Sequence, residues 1–220
     1  MAENYDEIYQ QQAWFGSRES HLLRRHTDIF APGTRVLDIG VGQGRNALPL
    51  ARRRCRVTGI DTSGVAVESV RQAALAEALE LELATIGFLD FTPAGDYDVV
   101  LCFGLLQILS PRAGASLISR LQTWTRPGGV LFLTAWHVDD PSFPGLCDSW
   151  QRLGLRSFRS PDGQAFRTFL GRGEILQFFY SWHVLHHWEG LGDPHRHGTG
   201  PVEQHGDIEA VLRRPSADAR

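Results

Sequence analysis

A short hydrophobic run followed at once by three closely spaced glycines constrains this chain more than any other feature. The run ends at Ile39, and Gly40, Gly42 and Gly44 follow it. Glycine is required where a strand turns tightly into a helix and a ligand approaches the backbone, because a Cβ atom would block that approach. The pattern therefore predicts the first strand, turn and helix of a parallel sheet, with a ligand site at the turn.

The residues around the glycines indicate which kind of ligand the turn binds. A dinucleotide-binding turn has its third glycine at the sixth position, but counting from Gly40 that position holds Arg45. Asp38 stands just before the turn, where its carboxylate would repel a phosphate group and attract an amino or sulfonium cation. The turn, which Asn46 completes, therefore favours a cationic nucleoside over a dinucleotide.

Hydrophobic segments of strand length alternate with helical segments through the first two thirds of the chain. Predicted strands span residues 35–39, 56–60, 81–85, 97–103 and 129–135. Predicted helices span residues 19–30, 45–53, 65–79 and 113–124. This alternation is typical of an α/β protein whose parallel sheet is covered by helices, with short loops at the strand ends carrying the chemistry.

The last third of the chain departs from this alternation. Residues 136–171 are rich in Pro, Gly, Arg and aromatic side chains, and we interpret them as a lid or a wall of the ligand pocket; the alternative is a plain surface insertion. A helix over residues 173–180 and an antiparallel strand pair at residues 182–188 and 208–212 follow. We expect a single domain over residues 1–220, with a helical cap (1–34), a cofactor-binding core (35–135), a pocket insert with closing strands (136–214) and a tail (215–220).

Two further strand ends carry carboxylates suited to a nucleoside. Asp61 ends the second strand, where an acidic side chain accepts both hydroxyls of a ribose, and Thr62 follows it. Asp90 follows the third strand and is placed to accept an adenine amino group, with Phe91 beside it to cover a ring face. A turn or helix-cap role is the alternative for Asp90. Phe103, at the exit of the fourth strand, would lie beside the reacting group.

This ordered set of motifs, from Val36 to Ala135, resembles the class I S-adenosylmethionine-dependent methyltransferases. The resemblance implies a Rossmann-like, mostly parallel seven-stranded sheet with an antiparallel C-terminal strand pair. It also implies inline transfer of a methyl group from S-adenosyl-L-methionine, with S-adenosyl-L-homocysteine as the product. The cofactor contacts implied in this way are Asp38, Gly40, Gly42, Gly44, Arg45, Asn46, Asp61, Thr62, Asp90, Phe91 and Phe103.

The last third carries a second resemblance, through Gly173-Glu174-Ile175-Leu176, Trp182 and Gly192-Asp193-Pro194-His195-Arg196, together with Gly44-Arg45-Asn46. These segments resemble the tellurite-resistance (TehB-like) methyltransferases, which methylate tellurium and selenium oxyanions. The resemblance implies such an acceptor, or a related chalcogen or thiol compound, with His195 and Arg196 as catalytic residues. An Arg guanidinium binds two oxygens of an oxyanion, and a neighbouring His holds or moves a proton. A further basic residue expected downstream is not matched, since residues 201–207 contain His205 but no Arg.

Several other interpretations stay open at this point. A methyltransferase for another small metabolite, with an N-, O- or S-acceptor, would keep the same cofactor half, and a noncatalytic cofactor-binding module would keep the fold without turnover. An oxidoreductase would bind nicotinamide instead. Arsenite methylation is disfavoured because the cysteines lie in separate elements. His195 and His197 are two metal ligands in a rival hypothesis, but a metal site also needs a third ordered ligand, so no metal is predicted.

Composition limits the partners and the compartment. The chain has 220 residues and a formal charge of −3, so it lacks the basic character of a nucleic-acid-binding protein. No apolar run reaches the ~18 residues of a membrane span. The start is polar and acidic, unlike a secretory signal, and Cys55, Cys102 and Cys147 form no Cys-x-x-Cys pair. We expect a cytoplasmic protein with a small-molecule partner and no nucleic-acid or membrane partner; no oligomeric state is assigned.

Overall fold

The computed structural model describes residues 5–10, 15–196 and 200–216. His197, the second ligand in the rival metal hypothesis, and residues 217–220 of the predicted tail lie outside these ranges. No helix within the described ranges is both long enough and apolar enough to cross a lipid bilayer.

A seven-stranded sheet forms the centre of the described part of the chain. The strands, numbered along the chain, are β1 (Arg35–Ile39), β2 (Arg56–Asp61), β3 (Leu81–Thr85), β4 (Tyr97–Cys102), β5 (Thr125–Trp136), β6 (Gln151–Arg152), β7 (Ser157–Arg159), β8 (Phe166–Thr168), β9 (His183–Leu191), β10 (His195–Arg196), β11 (Val202–Glu203) and β12 (Gly206–Arg213). The sheet has the order β3-β2-β1-β4-β5-β12-β9. Strands β1 to β5 are parallel, and β12 is antiparallel to both β5 and β9. The predicted fold class is confirmed.

Helices cover both faces of this sheet. They are α1 (Tyr5–Tyr9), α2 (His21–Arg25), α3 (Ala47–Arg52), α4 (Gly64–Ala76), α5 (Pro111–Trp124), α6 (Phe143–Ser149) and α7 (Glu174–Phe178), with 3-10 turns at Thr27–Ile29 and Leu106–Ile108. The prediction of one continuous helix over residues 19–30 is wrong. Helix α2 ends at Arg25 because His26 leaves the helical region, with φ −126° and ψ 41°, and a 3-10 turn follows.

Alternate residues of β1 point to opposite faces of the sheet and so belong to two hydrophobic layers. Val36 packs in the layer that contains buried side chains of α2, α3 and α4, whereas Leu37 and Ile39 pack in the layer of α5 and α7. Burial on both faces is typical of a central parallel strand. Ile39 pairs with Ile60 of β2 and Cys102 of β4, so the carboxyl ends of these three strands meet at one edge.

The segment over residues 136–171 is an ordered insert. It contains α6 and a small antiparallel sheet with the order β6-β7-β8. Its aromatic side chains Phe158 and Phe169 are 0% and 1% exposed, and Thr168 Oγ1 donates a hydrogen bond to the carbonyl of Leu109. Phe169 also stacks on Trp136 at the end of β5, with ring centroids 5.5 Å apart, so the insert packs against the carboxyl edge of the main sheet. A lid movement of this segment stays a prediction.

Candidate functional site

The turn after β1 has the geometry that its glycines predict. Gly42 and Gly44 have φ values of +51° and +78°, a region that side chains disfavour. A Cβ on Gly44 would also lie 3.0 Å from Val70 Cγ2 of α4, so the turn packs directly on the helix. At Gly42 a Cβ would lie 3.0 Å from the hydroxyl oxygen of Tyr9. The N-terminal helix α1 therefore reaches the space above the turn.

Asp38 lies beneath this turn and is almost completely buried, with 3% of its surface exposed. Burial raises the pKa of Asp38 to about 7, an effect that nearby Arg45 opposes and the charge of Asp61 adds to. The pKa of Arg45 is in turn lowered, chiefly by burial, although Asp38 acts to raise it. A carboxylate in such a place is stabilised by a cation, because little water solvates its charge.

Asp61 connects the end of β2 to the glycine turn through a hydrogen bond. Its carboxylate accepts hydrogen bonds of 2.9 Å from the backbone N–H groups of Gly42 and Ser63. Burial raises the pKa of Asp61, and these backbone hydrogen bonds oppose the rise. Tyr9 lies close by, and the pKa of its phenol is raised by burial and by the charges of Asp61 and Asp38. Thr62 follows at the surface.

The predicted adenine contacts lie further along the same edge. Asp90 is exposed, and a Cβ on Gly87 would lie 4.0 Å from its Oδ2 and 3.4 Å from Thr62 Cγ2, so both side chains flank one loop. Phe91 packs edge-on against Trp124 of α5, with ring centroids 5.6 Å apart. The structure thus directs Phe91 toward the helix layer, and its role as an adenine contact stays a prediction.

A cavity of about 700 Å³ extends from the glycine turn to the C-terminal strands. This volume is in the usual range for small-molecule sites, which is roughly 300–1,000 Å³. The predicted site residues that line it are Asp38, Gly40, Gly42, Arg45, Asn46, Phe103 and His195. A second cavity of about 430 Å³ lies at the opposite, amino edge of the sheet, beside Asp98 and Arg126. Ligands of open α/β sheets bind at the carboxyl edge, so the larger cavity is the candidate site.

The two predicted catalytic residues differ in their placement. His195 lines the cavity, and its Nδ1 lies 3.0 Å from the carbonyl oxygen of Asp193. Arg196 is exposed, does not line the cavity, and donates a hydrogen bond of 2.8 Å to the carbonyl of Gly200. The strand pair β10–β11 thus presents His195 toward the cavity and Arg196 outward.

Trp136, at the end of β5, forms an aromatic wall of the cavity that sequence reasoning did not identify. The rings of Trp136 and His205 are stacked, with centroids 4.8 Å apart and planes 19° apart. The guanidinium carbon of Arg167 lies 5.4 Å from the Trp136 ring centroid and 5.7 Å from that of Trp150. Since these side chains come from distant parts of the chain, no local sequence pattern predicts that they meet.

His205 is paired with a carboxylate that sequence reasoning also missed. Its Nδ1 lies 2.9 Å from Oδ2 of Asp140, whose side chain is 1% exposed. The backbone N–H groups of Ser142 and Gly206 donate to the same carboxylate. Burial raises the pKa of Asp140, but these contacts together lower it below its usual value. Asp140 is therefore held as a charged group beside the cavity.

Close backbone contact at Gly206 fixes this arrangement, and we expect Gly206→Ala to disrupt it. A Cβ there would lie 2.3 Å from the backbone nitrogen of Asp140, so the backbone must shift. We expect a loss of about 1–3 kcal/mol in the free energy of unfolding, as for overpacked cores. Denaturant unfolding measures this loss in the free energy of unfolding. Gly145→Ala, with no atom within 4 Å of the new Cβ, is the control and should change stability little; equal stability of both variants would contradict the expectation.

Other predicted groups lie away from the cavity. His186 of β9 contacts Glu209 at 3.1 Å, so the histidines of that strand belong to the sheet edge. In the part of the chain that the structure describes, no group of three or more His, Cys, Asp or Glu side chains is arranged to hold a metal ion. Cys55, Cys102 and Cys147 are free thiols.

The fold and the site together define the class of protein. A glycine turn after β1, an acid before it, a second acid at the end of β2 and a cavity at the carboxyl edge are the architecture of class I S-adenosylmethionine-dependent methyltransferases. Residues 36–129 match a family model described as a methyltransferase domain. The predicted resemblance to this class is therefore confirmed, and the matching family model covers residues 36–129.

Curated relatives and solved structures extend the comparison. The ubiquinone biosynthesis O-methyltransferase of Aeromonas salmonicida is 35% identical over 46% of this chain and 43% of its own length. Hemagglutinin 1 of Eikenella corrodens is 27% identical over 79% of this chain and 51% of its own length. The chain thus spans about half the length of these curated relatives.

Among solved structures, TehB from Haemophilus influenzae has a similar fold, with a TM-score of 0.71 and 19% identity over 97% of this chain and 66% of that one. The predicted resemblance to TehB is therefore confirmed at the level of the fold. Further structures with this fold are described as methyltransferases with bound S-adenosylmethionine or S-adenosylhomocysteine.

Proposed function

We propose that this protein transfers a methyl group from S-adenosyl-L-methionine to a small acceptor and releases S-adenosyl-L-homocysteine. The observation that carries the proposal is the buried carboxylate of Asp38 beneath the glycine turn, at one end of a cavity that continues to a second set of polar side chains. A cofactor with a cationic amino group and a sulfonium fits the first end, because the carboxylate there lacks solvation. An acceptor fits the second end.

The residues at the carboxyl edge have the chemistry to hold this cofactor. Asp38 and the turn over residues 40–46 bind the methionine end. Gly42 has no side chain at this point, and a Cβ on this residue would contact Tyr9. Asp61 and Thr62 bind the ribose, Asp90 and Phe91 bind the adenine, and Phe103 lies beside the reacting group. The cofactor supplies an electrophilic methyl group; the protein's task is to align the acceptor with it and to exclude water.

The finer proposal concerns the acceptor, for which we propose a tellurium or selenium oxyanion or a related chalcogen or thiol compound. The likeness of the fold to TehB and the position of His195 on the cavity wall support it. Arg196 has to turn from its contact with Gly200 to reach an oxyanion. The alternative is another small metabolite with an N-, O- or S-acceptor.

We also propose a cytoplasmic location, which the free cysteines favour, and no nucleic-acid or membrane partner.

Two variants should distinguish a residue that binds the cofactor from a residue that acts on the acceptor. We expect Asp61→Ala to weaken cofactor binding about tenfold or more, because it removes a charged hydrogen-bond acceptor worth roughly 1.5–3 kcal/mol. Arg196→Ala should leave cofactor binding intact and abolish turnover. Titration calorimetry with S-adenosylmethionine and a turnover assay measure the two effects. The reverse pattern would overturn these roles.

A methyl-transfer assay with S-adenosylmethionine against selenite, tellurite and a panel of small thiols tests the function directly. S-adenosylhomocysteine and volatile methylated products are the readouts. Turnover of an oxyanion supports the chalcogen proposal and the site at His195 and Arg196. Turnover of thiols alone keeps the methyltransferase and discards the oxyanion. Cofactor binding without turnover of any acceptor contradicts the proposed acceptors and favours another metabolite or a noncatalytic module.

A further inference from the structure

We propose that His205, positioned by Asp140, is the general base that removes a proton from a weakly acidic S–H or O–H group of the acceptor. This inference rests on the proposed function and narrows its substrate class. It assigns the acceptor to protic nucleophiles, which carry a hydrogen on the attacking atom at neutral pH. An acceptor with a free chalcogen lone pair needs no such base.

The geometry of the pair defines which nitrogen acts. A charged carboxylate can only accept hydrogen bonds, so the contact of 2.9 Å between Asp140 and Nδ1 of His205 places the hydrogen of the neutral ring on Nδ1. Nε2, which lies 3.5 Å from Oε2 of Glu203, then carries the lone pair. Asp140 is itself fixed by hydrogen bonds from Ser142 and Gly206, so the imidazole is oriented by a rigid partner. This is the general arrangement of a base and its orienting acid.

The ring of His205 lies at the wall of the cavity that contains the proposed acceptor space. His205 lines the same cavity as Asp38 and Phe103, and its ring is stacked on Trp136. The stacking and the Asp140 contact restrain the ring in two directions.

Surrounding charges set the pH range in which the base works. Among the residues that the structure describes, the titratable and charged side chains near His205 are Asp140, Glu203, Asp207, His195 and, at the same Trp136 ring, Arg167. The hydrogen bond with Asp140 raises the pKa of His205 most, burial lowers it, and the charges of Asp207 and Glu203 raise it further. The net pKa is raised, so the neutral base is present at the alkaline side of the usual histidine range.

The proton step balances without any additional reactant. The S–H or O–H bond of the acceptor breaks, its electron pair stays on sulfur or oxygen, and the proton bonds to Nε2 of His205. The imidazolium is stabilised by the carboxylate of Asp140. Because 18% of the His205 side chain is exposed, the proton can then leave to solvent.

The test compares His205→Gln, Asp140→Asn and the control His186→Gln, whose histidine also contacts a carboxylate but lies on β9 away from the cavity. The probes are 2-mercaptoethanol, 4-nitrobenzenethiol, phenol, 4-nitrophenol and selenite. In mildly alkaline buffer the nitro compounds are largely ionised, whereas their partners are still mostly protonated. We expect His205→Gln to lower kcat/KM about 10²–10⁴-fold for the protonated acceptors, the usual contribution of a general base, and little for the ionised ones.

The pH profile separates proton transfer from a structural role. In the unmodified protein kcat/KM should fall as the pH drops through the pKa of His205, because imidazolium cannot accept a proton. Asp140→Asn should shift this limb to lower pH, since it removes the contact that raises the pKa most, and His205→Gln should abolish the limb. His186→Gln should match the unmodified protein.

Two kinds of failure are distinguishable. If the unmodified protein does not bind S-adenosylmethionine in calorimetry, the proposed function fails, and this inference fails with it. If it binds the cofactor but His205→Gln slows ionised and protonated acceptors equally, or if no thiol or phenol is methylated, or if selenite alone is methylated, the inference is overturned while cofactor binding stands.

Discussion

Asp38→Asn is expected to reduce the affinity for S-adenosylmethionine about a hundredfold or more. Removing one partner of a buried ion pair costs about 3–5 kcal/mol, because the other charge stays buried without compensation. Asp38 is almost fully buried, so little solvent can replace its charge. Titration calorimetry measures the loss, and Asp98→Asn at the amino edge of the sheet is the matched control, with no expected change in affinity.

The same carboxyl should make cofactor affinity depend on pH. Burial raises the pKa of Asp38 to about 7, so below that pH the free protein holds a proton that a cationic amino group displaces. Affinity should therefore rise with pH up to about 7 and then level, with one proton released per cofactor bound at lower pH. Heats measured in buffers of different ionisation enthalpy count this proton. In Asp38→Asn the dependence should disappear.

The pH dependence of stability gives an independent check that the Asp38→Asn variant is folded. A carboxyl whose pKa is raised by folding binds more protons in the native state, so stability falls as pH rises from about 4 to about 7. The Asp38→Asn variant has no carboxyl that titrates here, so its stability does not fall in this way. It should be at least as stable as the unmodified protein at pH 8. Unchanged cofactor affinity in a folded Asp38→Asn variant would contradict the assignment of Asp38.

Phe132→Ala is expected to lower the free energy of unfolding by about 3–5 kcal/mol, the usual cost of removing a buried phenylalanine side chain. Phe132 of β5 is 0% exposed and contacts the rings of Phe30 and His26, with centroid distances of 5.5 and 5.8 Å. It therefore holds the N-terminal helical region against the sheet. Denaturant unfolding gives the change in free energy.

Leu75→Ala is the control for this prediction. Leu75 is a large hydrophobic residue of α4 but is 74% exposed, so its removal creates no cavity. Its effect should stay within about 0.5 kcal/mol, as for surface substitutions. Equal losses for Phe132→Ala and Leu75→Ala would show that Phe132 does not anchor the N-terminal region.

The central sheet was predictable because its signals are local. A strand such as β1 has a hydrophobic run followed by turn residues, and its bounds were predicted as the structure has them. The helix over residues 19–30 was mispredicted because no strong helix breaker marks His26, whose dihedrals depend on how the segment packs on the sheet. Local patterns thus predict elements better than they predict interruptions set by tertiary contacts.

The candidate site also has one part that the sequence predicts and one part that it does not. Asp38 and the glycine turn lie within one strand and loop, so their contact followed from sequence order alone. Asp140 and His205 are 65 residues apart, and their contact depends on the close approach of β12 to the turn after β5 at Gly206. Glycine at that position is a signal in retrospect, but nothing in the sequence names its partner.

The boundary of the matched methyltransferase domain also divides the molecule's chemistry. The match ends at residue 129, whereas Trp136, Arg167, His195 and His205 all lie beyond it. The portion before this boundary supplies the turn and acids of the cofactor end. Substitutions beyond residue 129 can therefore change one end of the cavity while the glycine turn and its acids stay unchanged at the other.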